Sequence, residues 1–292
     1  MKKIFLIIFF IISFNAFSQE ESQKDSLWST RGNVSVLLNQ TGFSDWAGGG
    51  TNNFSATIKF DYEWEYEDRG WNWLTNVESA YGLAKYKNAP FARKIDDRIL
   101  IQSIIGKEFT KNLSFSAFFN LTSQIGNGYK YSKDSENNEI RDLTTKIFSP
   151  AYFQLGSGFL WKKDERLWLN YSPIASRLIL VSKKFTNDLS VGETYFGVLP
   201  DKSSRYELGA NITFHSEGNL LENVKYKQDL KLFSNYLESA SNIDLDYLVQ
   251  IDVDVNPILS TQLIIQLIYD DNAISRLQVR EVFGVGVQLK LD

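Results

Sequence analysis

Apolar and charged residues alternate in two neighbouring stretches near the C-terminal end of the chain. Most even positions are apolar from 224 to 232, and the odd positions are apolar from 245 to 255. A period of two predicts β-strands with one apolar and one charged face. If residues 237–242 close a hairpin between them, Lys225 lies opposite Asp254 and Lys227 lies opposite Asp252. Opposite charges would then meet directly across the two strands.

The same alternation, interrupted by turn residues, predicts twelve strands along the chain. They lie near 33–40, 52–66, 71–83, 97–109, 113–126, 147–161, 166–181, 204–215, 223–237, 243–255, 258–270 and 277–291. Connections after the even-numbered strands are mostly short, whereas 84–96, 127–146 and 182–203 are long and polar. Outer-membrane barrels combine short periplasmic turns with longer outer loops. The pattern therefore predicts an all-β fold, an antiparallel up-and-down transmembrane β-barrel of about 12 strands, rather than a soluble sandwich.

In such a barrel the charged face of the hairpin lines the lumen. The predicted lumen-lining charges are Lys225, Lys227, Asp229, Lys231, Asp244, Asp246, Asp252 and Asp254. Twelve strands enclose less space than the 16 to 18 strands of porins. These charges could line a water-filled path or form a salt-bridged plug, and the sequence leaves both alternatives open.

Aromatic residues near the predicted periplasmic turns provide a second test, because membrane barrels carry aromatic girdles at the bilayer interfaces. The predicted belt consists of Trp64, Trp71, Trp73, Trp161 and Trp168. The alternative is that these are ordinary core aromatics of a soluble sheet. That alternative does not explain the segregation of short and long connections.

The N-terminus has the features of a secretory signal peptide. Lys2 and Lys3 precede an apolar run over 4–12 and a small-residue pattern that ends at Ser18. A transmembrane helix needs about 20 apolar residues, so this run is too short to span. We expect a signal peptide over 1–18 cleaved before Gln19, a periplasmic segment over 19–32, and an outer-membrane barrel domain over 33–292.

Composition excludes some classes of function. The formal net charge is −4 and the chain has no long basic tract, so we expect no nucleic-acid partner. His215 is the only histidine. Its neighbour Ser216 would point to the opposite face of a strand, so the two cannot form a nucleophile and base pair. We therefore expect a protein that is not an enzyme, with no catalytic residues, no metal site and no cofactor.

Basic residues gather in the predicted outer loop after the third strand. They are Lys85, Lys87, Arg93 and Lys94. Phosphates of outer-leaflet glycolipids such as lipopolysaccharide could be held there by charge-assisted hydrogen bonds. The alternative, which we favour, is an ordinary solvated loop.

Several short motifs resemble a family of Bacteroidetes outer-membrane β-barrels of unknown function, domain-of-unknown-function family 3078. They extend over most of the mature chain in the family's order and include Trp46-Ala47-Gly48-Gly49, Phe148-Ser149-Pro150-Ala151-Tyr152, Tyr171-Ser172-Pro173, Leu232-Phe233-Ser234-Asn235-Tyr236 and Ile268-Tyr269-Asp270-Asp271. The resemblance implies an outer-membrane location. It implies no site residue, since the family's activity is unknown. The chain departs from the family in ending on Asp292 rather than on an aromatic residue.

These observations predict an outer-membrane protein that acts as a narrow channel for small polar solutes or as a structural envelope protein. The alternative is an accessory subunit of a larger outer-membrane complex, and a barrel lipid hydrolase is a third hypothesis. The expected partners are outer-membrane lipid, lipopolysaccharide and other envelope proteins.

Overall fold

The computed structural model describes residues 27–42, 51–270 and 272–291. Twelve strands close into one antiparallel barrel, in the order β1-β2-β3-β4-β5-β8-β9-β10-β11-β12-β13-β14, with β14 pairing back to β1. The predicted up-and-down barrel is therefore confirmed. The predicted signal peptide over 1–18 and its cleavage site lie outside the described residues.

The barrel strands follow the predicted runs closely. Their bounds are β1 (Trp28–Thr41), β2 (Asn53–Asp68), β3 (Trp71–Tyr86), β4 (Arg93–Thr110), β5 (Leu113–Ser123), β8 (Ala151–Asp164), β9 (Leu167–Leu180), β10 (Ser204–Leu221), β11 (Val224–Asn235), β12 (Ile243–Asp254), β13 (Leu259–Asp270) and β14 (Ile274–Leu291). β1 begins earlier than predicted, so residues 28–32 of the predicted periplasmic segment pair with β2. β10 continues through the predicted turn at 216–222, because its alternation carries on and residues 216–219 pair with β11.

Two of the long connections have structure of their own. The connection between β5 and β8 contains a separate hairpin, β6 (Gly128–Lys133) and β7 (Glu139–Thr145). The connection between β9 and β10 contains a short 3₁₀ helix, Lys183–Phe185, and buries Val198 completely against Ile179 and Val181. Among the described residues, no helix is long and apolar enough to cross a membrane.

The polarity of the barrel is the reverse of that of a soluble protein. Its outer face exposes large apolar side chains, such as Val279, which is 67% exposed. Its inner face buries polar ones, such as Glu207, Asn170 and Ser172, each 0% exposed. Because side chains alternate along each strand, one sequence pattern produces both surfaces.

The register of the β11–β12 hairpin differs from the prediction by two residues. Lys225 lies opposite Asp252, and Lys227 lies opposite Gln250. Pairing between the two strands ends at Ser234 and Ile243, because side chains form hydrogen bonds with backbone groups inside the turn. Ser234 Oγ donates to the Ala240 carbonyl (2.7 Å), and Asn235 Oδ1 accepts from the Leu237 amide (3.0 Å). A shift of two residues preserves which side chains face the lumen.

Candidate functional site

One wall of the lumen contains a buried apolar cluster. Inward-facing side chains of β4, β5, β8, β9 and β11 form one buried hydrophobic cluster, which comprises Ile104, Phe118, Leu160, Trp168, Ala175 and Phe233. The sequence did not reveal this cluster, because its members come from separate strands whose other inward residues are small or polar. This wall leaves no room for a wide central pore.

The opposite wall is polar and borders a cavity of about 340 Å³. Its lining includes Arg31, Lys59, Asp61, Lys225, Lys227 and Gln288. Lys225 lies near the end of β11 that meets a short turn, and Arg31 and Gln288 lie near the start of β1 and the end of β14. The cavity therefore occupies the half of the barrel that we predicted to face the periplasm.

A second cavity of about 50 Å³ lies beside His215, Lys231 and Asp246. It shares the lining residues Glu63, Glu78, Arg98 and Leu248 with the larger cavity. A buried water needs roughly 10–15 Å³ of such space, so the smaller cavity has room for a few water molecules. The two cavities are therefore adjacent, and we refer to them together as the polar track.

Charged side chains bridge the lumen between strands that are not neighbours. Lys227 Nζ on β11 lies 2.7 Å from Glu78 Oε1 on β3. Lys162 Nζ on β8 lies 2.5 Å from Glu65 Oε1 on β2, and Arg31 on β1 lies 3.1 Å from Glu217 on β10. These pairs connect opposite walls of the barrel.

The track narrows toward the outer end of the barrel. Arg280 Nη2 on β14 lies 2.5 Å from Asp96 Oδ2 on β4, and Arg280 Nη1 donates to Gln266 Oε1 (2.9 Å). Inward-facing Thr57, Asp96, Ile264 and Gln266 are all buried at this level. Arg177 also bridges Glu207 and Asp244 and lies over the Phe233 ring. The outer half of the lumen is therefore filled by side chains.

The structure places the eight predicted lumen charges on the inner face. Lys225, Lys227, Asp229, Lys231 and Asp246 line one of the two cavities, and Asp244 contacts the inward-facing Arg177. Asp252 accepts a hydrogen bond from Gln262 (2.5 Å), and Asp254 forms an ion pair with Lys225 (2.9 Å). The predicted pairing of Lys227 with Asp252 is wrong. The register shift places Lys227 opposite Gln250, and Lys227 forms an ion pair with Glu78 instead.

His215 lies in the lumen, where its ring stacks on Trp168 with centroids 5.3 Å apart. Its Nδ1 is 2.8 Å from Asp229 Oδ1. Ser216 turns outward and contacts Tyr226 OH (3.2 Å), as strand alternation requires. Among the residues that the structure describes, no group of three or more His, Asp or Glu side chains could hold a metal ion.

Four of the five predicted belt tryptophans lie on the outer surface. Trp64, Trp71, Trp73 and Trp161 are 36–45% exposed, near strand ends that meet the short turns. Trp28 joins them, with its ring 5.5 Å from that of Trp73. Trp168 is the exception: it is 4% exposed and faces the lumen, since Leu167 and Leu169 take the outward positions of β9.

Three of the four basic residues proposed for glycolipid contact have partners within the chain. Lys85 donates to the Ala89 and Pro90 carbonyls, Arg93 pairs with Glu139, and Lys94 pairs with Asp97 (2.5 Å). Lys87 is exposed. Glycolipid binding stays a prediction, and three of its four cations would have to exchange an internal partner for a phosphate.

The chain is similar in fold to several solved barrels. The translocator domain of the autotransporter NalP from Neisseria meningitidis has 9% identity, covers 95% of this chain and 91% of its own, and gives a TM-score of 0.40. An outer-membrane channel from Pseudomonas putida F1 has 11% identity with coverages of 92% and 99% and a TM-score of 0.37. The P. putida toluene transporter TodX has 8% identity with coverages of 92% and 89% and a TM-score of 0.30.

A search of curated protein sequences finds no match. Residues 38–129 match the family described as "Protein of unknown function (DUF3078)", and of the motifs named above only Trp46-Ala47-Gly48-Gly49 lies within the matched residues.

Proposed function

We propose that this chain is an outer-membrane barrel protein whose lumen admits small polar solutes through a narrow passage gated by its own side chains. The observation that carries the proposal is the polar track, which runs from the 340 Å³ cavity through the smaller cavity to the Arg280–Asp96 bridge. A barrel with a purely structural role has no need for water-accessible space beside a row of charges.

The outer surface supports the membrane location. Closed barrels are one of the two architectures that satisfy every backbone group within a bilayer. The apolar outer face and the tryptophans beside the short turns match the surface that such barrels present to lipid.

The chemistry of the track supports small polar solutes as the substrate class. The apolar cluster occupies the other wall, which limits the width of the passage. Charged and amide groups along the track can replace part of a solute's hydration shell. Arg280 reaches from β14 to Asp96 on β4 and thereby closes the outer end of the track.

Single-channel conductance in planar bilayers tests the proposal. We expect small, infrequent conductance from the native barrel and a several-fold larger conductance from Arg280→Ala, because that change removes the bridge. Arg280→Gln is a second variant, which retains a hydrogen-bonding group beside buried Asp96. Arg141→Ala, in the β6–β7 hairpin, is the matched control and should leave conductance at the native level. Absence of conductance in folded native and Arg280 variants would instead favour a structural envelope protein.

A further inference from the structure

One carboxylate lies on the apolar outer wall of the barrel. Glu281 on β14 is exposed between Val279 and Phe283, which are 67% and 60% exposed on the same face. It pairs across the ladder with Ile265 on β13, and Ile265 pairs with Val249 on β12. Outward apolar residues continue beyond it in both directions along β14, so Glu281 lies within the apolar band and not at its edge.

Other polar side chains on this part of the outer face form hydrogen bonds with one another. Tyr247 OH donates to Gln228 Oε1 (3.0 Å), and Ser216 contacts Tyr226 (3.2 Å). Among the side chains that the structure describes, by contrast, none forms an ion pair with Glu281. Charged residues in contact with lipid are costly and usually mark a functional contact.

The strand that bears Glu281 is also paired differently on its two sides. The β1–β14 ladder ends at the pair Leu38–Val285, and the Asn39 side chain donates to the Phe283 carbonyl (3.1 Å) beyond it. Among the described residues, Glu281 therefore has a strand neighbour only on the β13 side. The Glu281 side chain itself is exposed on the outer face.

We propose that the outer wall of β12–β14 docks a second membrane protein, which presents a Lys or Arg side chain to Glu281 at the depth of Val249 and Ile265. Charge complementarity selects a basic partner, since such a side chain would neutralise the carboxylate within the apolar band. A second copy of this chain fits poorly. The basic side chains that its described barrel strands turn outward lie near strand ends: Lys85, Lys94, Lys107 and Lys163.

Photo-crosslinking in the cells that naturally produce the protein tests this proposal. A photoreactive residue at Val279, which is 67% exposed, should give one adduct of defined mass, and the same residue at Ile58, which is 53% exposed on the outer face of β2, should not. Glu281→Gln should reduce the adduct several-fold and Glu281→Lys should abolish it. Sequencing of the adduct should place the crosslink next to a Lys or Arg in a membrane-embedded segment, and changing that residue to Glu should restore the adduct in the Glu281→Lys background.

Three results would overturn the proposal: adducts with lipid alone, an adduct with the mass of two copies of this chain, or an adduct that Glu281→Gln and Glu281→Lys leave unchanged. Heat-modifiable migration of each variant in gels shows whether the barrel has folded. If Glu281→Lys fails to insert, the Glu281→Gln variant and the restoring change decide the outcome. None of these results depends on whether the lumen conducts.

Discussion

Lys227 and Glu78 connect opposite walls of the barrel: the ammonium of β11 lies 2.7 Å from the carboxylate of β3. Their side chains are 19% and 11% exposed. Arg98 Nη2 also lies 3.3 Å from the second oxygen of Glu78. This carboxylate therefore joins three strands, and it is the residue whose loss should disturb the lumen most.

Glu78→Ala should destabilise the barrel, since it leaves Lys227 and Arg98 without their shared acceptor. Breaking a buried ion pair by removing one partner costs about 3 to 5 kcal/mol. The adjoining cavity should reduce this cost, because water can solvate the remaining cations. Urea unfolding in lipid vesicles measures the free energy of unfolding.

Asp252→Ala is the control for that change, because Asp252 accepts hydrogen bonds from Gln250 and Gln262 and forms no ion pair with Lys227. We expect a smaller loss of about 1.5 to 3 kcal/mol, the range for hydrogen bonds to a charged group. An Asp252→Ala loss equal to that of Glu78→Ala would contradict the cross-lumen assignment.

The sequence predicted which side chains face inward but not which of them meet. Alternation assigns a face to each residue, and a register error of two residues leaves that assignment intact. Contacts across the lumen join residues far apart in sequence, such as Arg280 and Asp96, whose meeting depends on barrel closure and strand tilt. The apolar cluster likewise depends on barrel closure, so the sequence does not predict it. Trp168 shows that nearness to a turn does not determine which face a strand residue occupies, whereas the alternation of β9 does.

Tryptophan fluorescence should separate Trp168 from the outer belt. In single-tryptophan variants, lipids brominated near the headgroups should quench Trp64, Trp71 and Trp161 strongly, because these rings lie on the outer face. They should quench Trp168 at least several-fold less, since it is buried against His215 inside the barrel. Strong quenching of Trp168 in a folded variant would place its ring outside.

Val249→Arg and Gln250→Arg should differ in their effect on folding. Val249 points outward in the row that contains Ile265, whereas Gln250 lines the large cavity. An arginine on the lipid face at mid-depth costs about 2 to 4 kcal/mol, and one in a wet lumen costs much less. Folding yield into vesicles and urea midpoints measure the difference. Equal effects of the two changes would mean that the faces are interchanged.

Single cysteines should report the orientation of the barrel, and the native chain contributes no background because it has no cysteine. Val191 is fully exposed in the long β9–β10 connection, and Asn137 lies in the turn of the β6–β7 hairpin. Cysteines at these positions should react with a membrane-impermeant maleimide on intact cells. A cysteine at Lys163, beside the short β8–β9 turn, should react only after the outer membrane is opened. The reverse labelling pattern would invert the assigned orientation.

The turn between β8 and β9 should respond to pH through Glu165. Burial raises the pKa of this carboxyl above its ordinary value of 4.5, and the nearby charge of Glu65 raises it further, against the opposing effects of Lys162 and Arg31. A carboxyl whose pKa is raised on folding binds protons more tightly in the folded state, so its charge weakens the barrel at pH above that pKa.

Glu165→Gln should therefore increase the free energy of unfolding at neutral pH by less than about 1 kcal/mol, the scale of exposed charge interactions. The gain should disappear as the pH falls through the folded-state pKa, because native Glu165 is then protonated. Glu222→Gln, in the exposed turn after β10, is the matched control and should show no comparable gain. A Glu165→Gln gain that persists unchanged at acidic pH would show that the effect does not come from the ionised carboxylate.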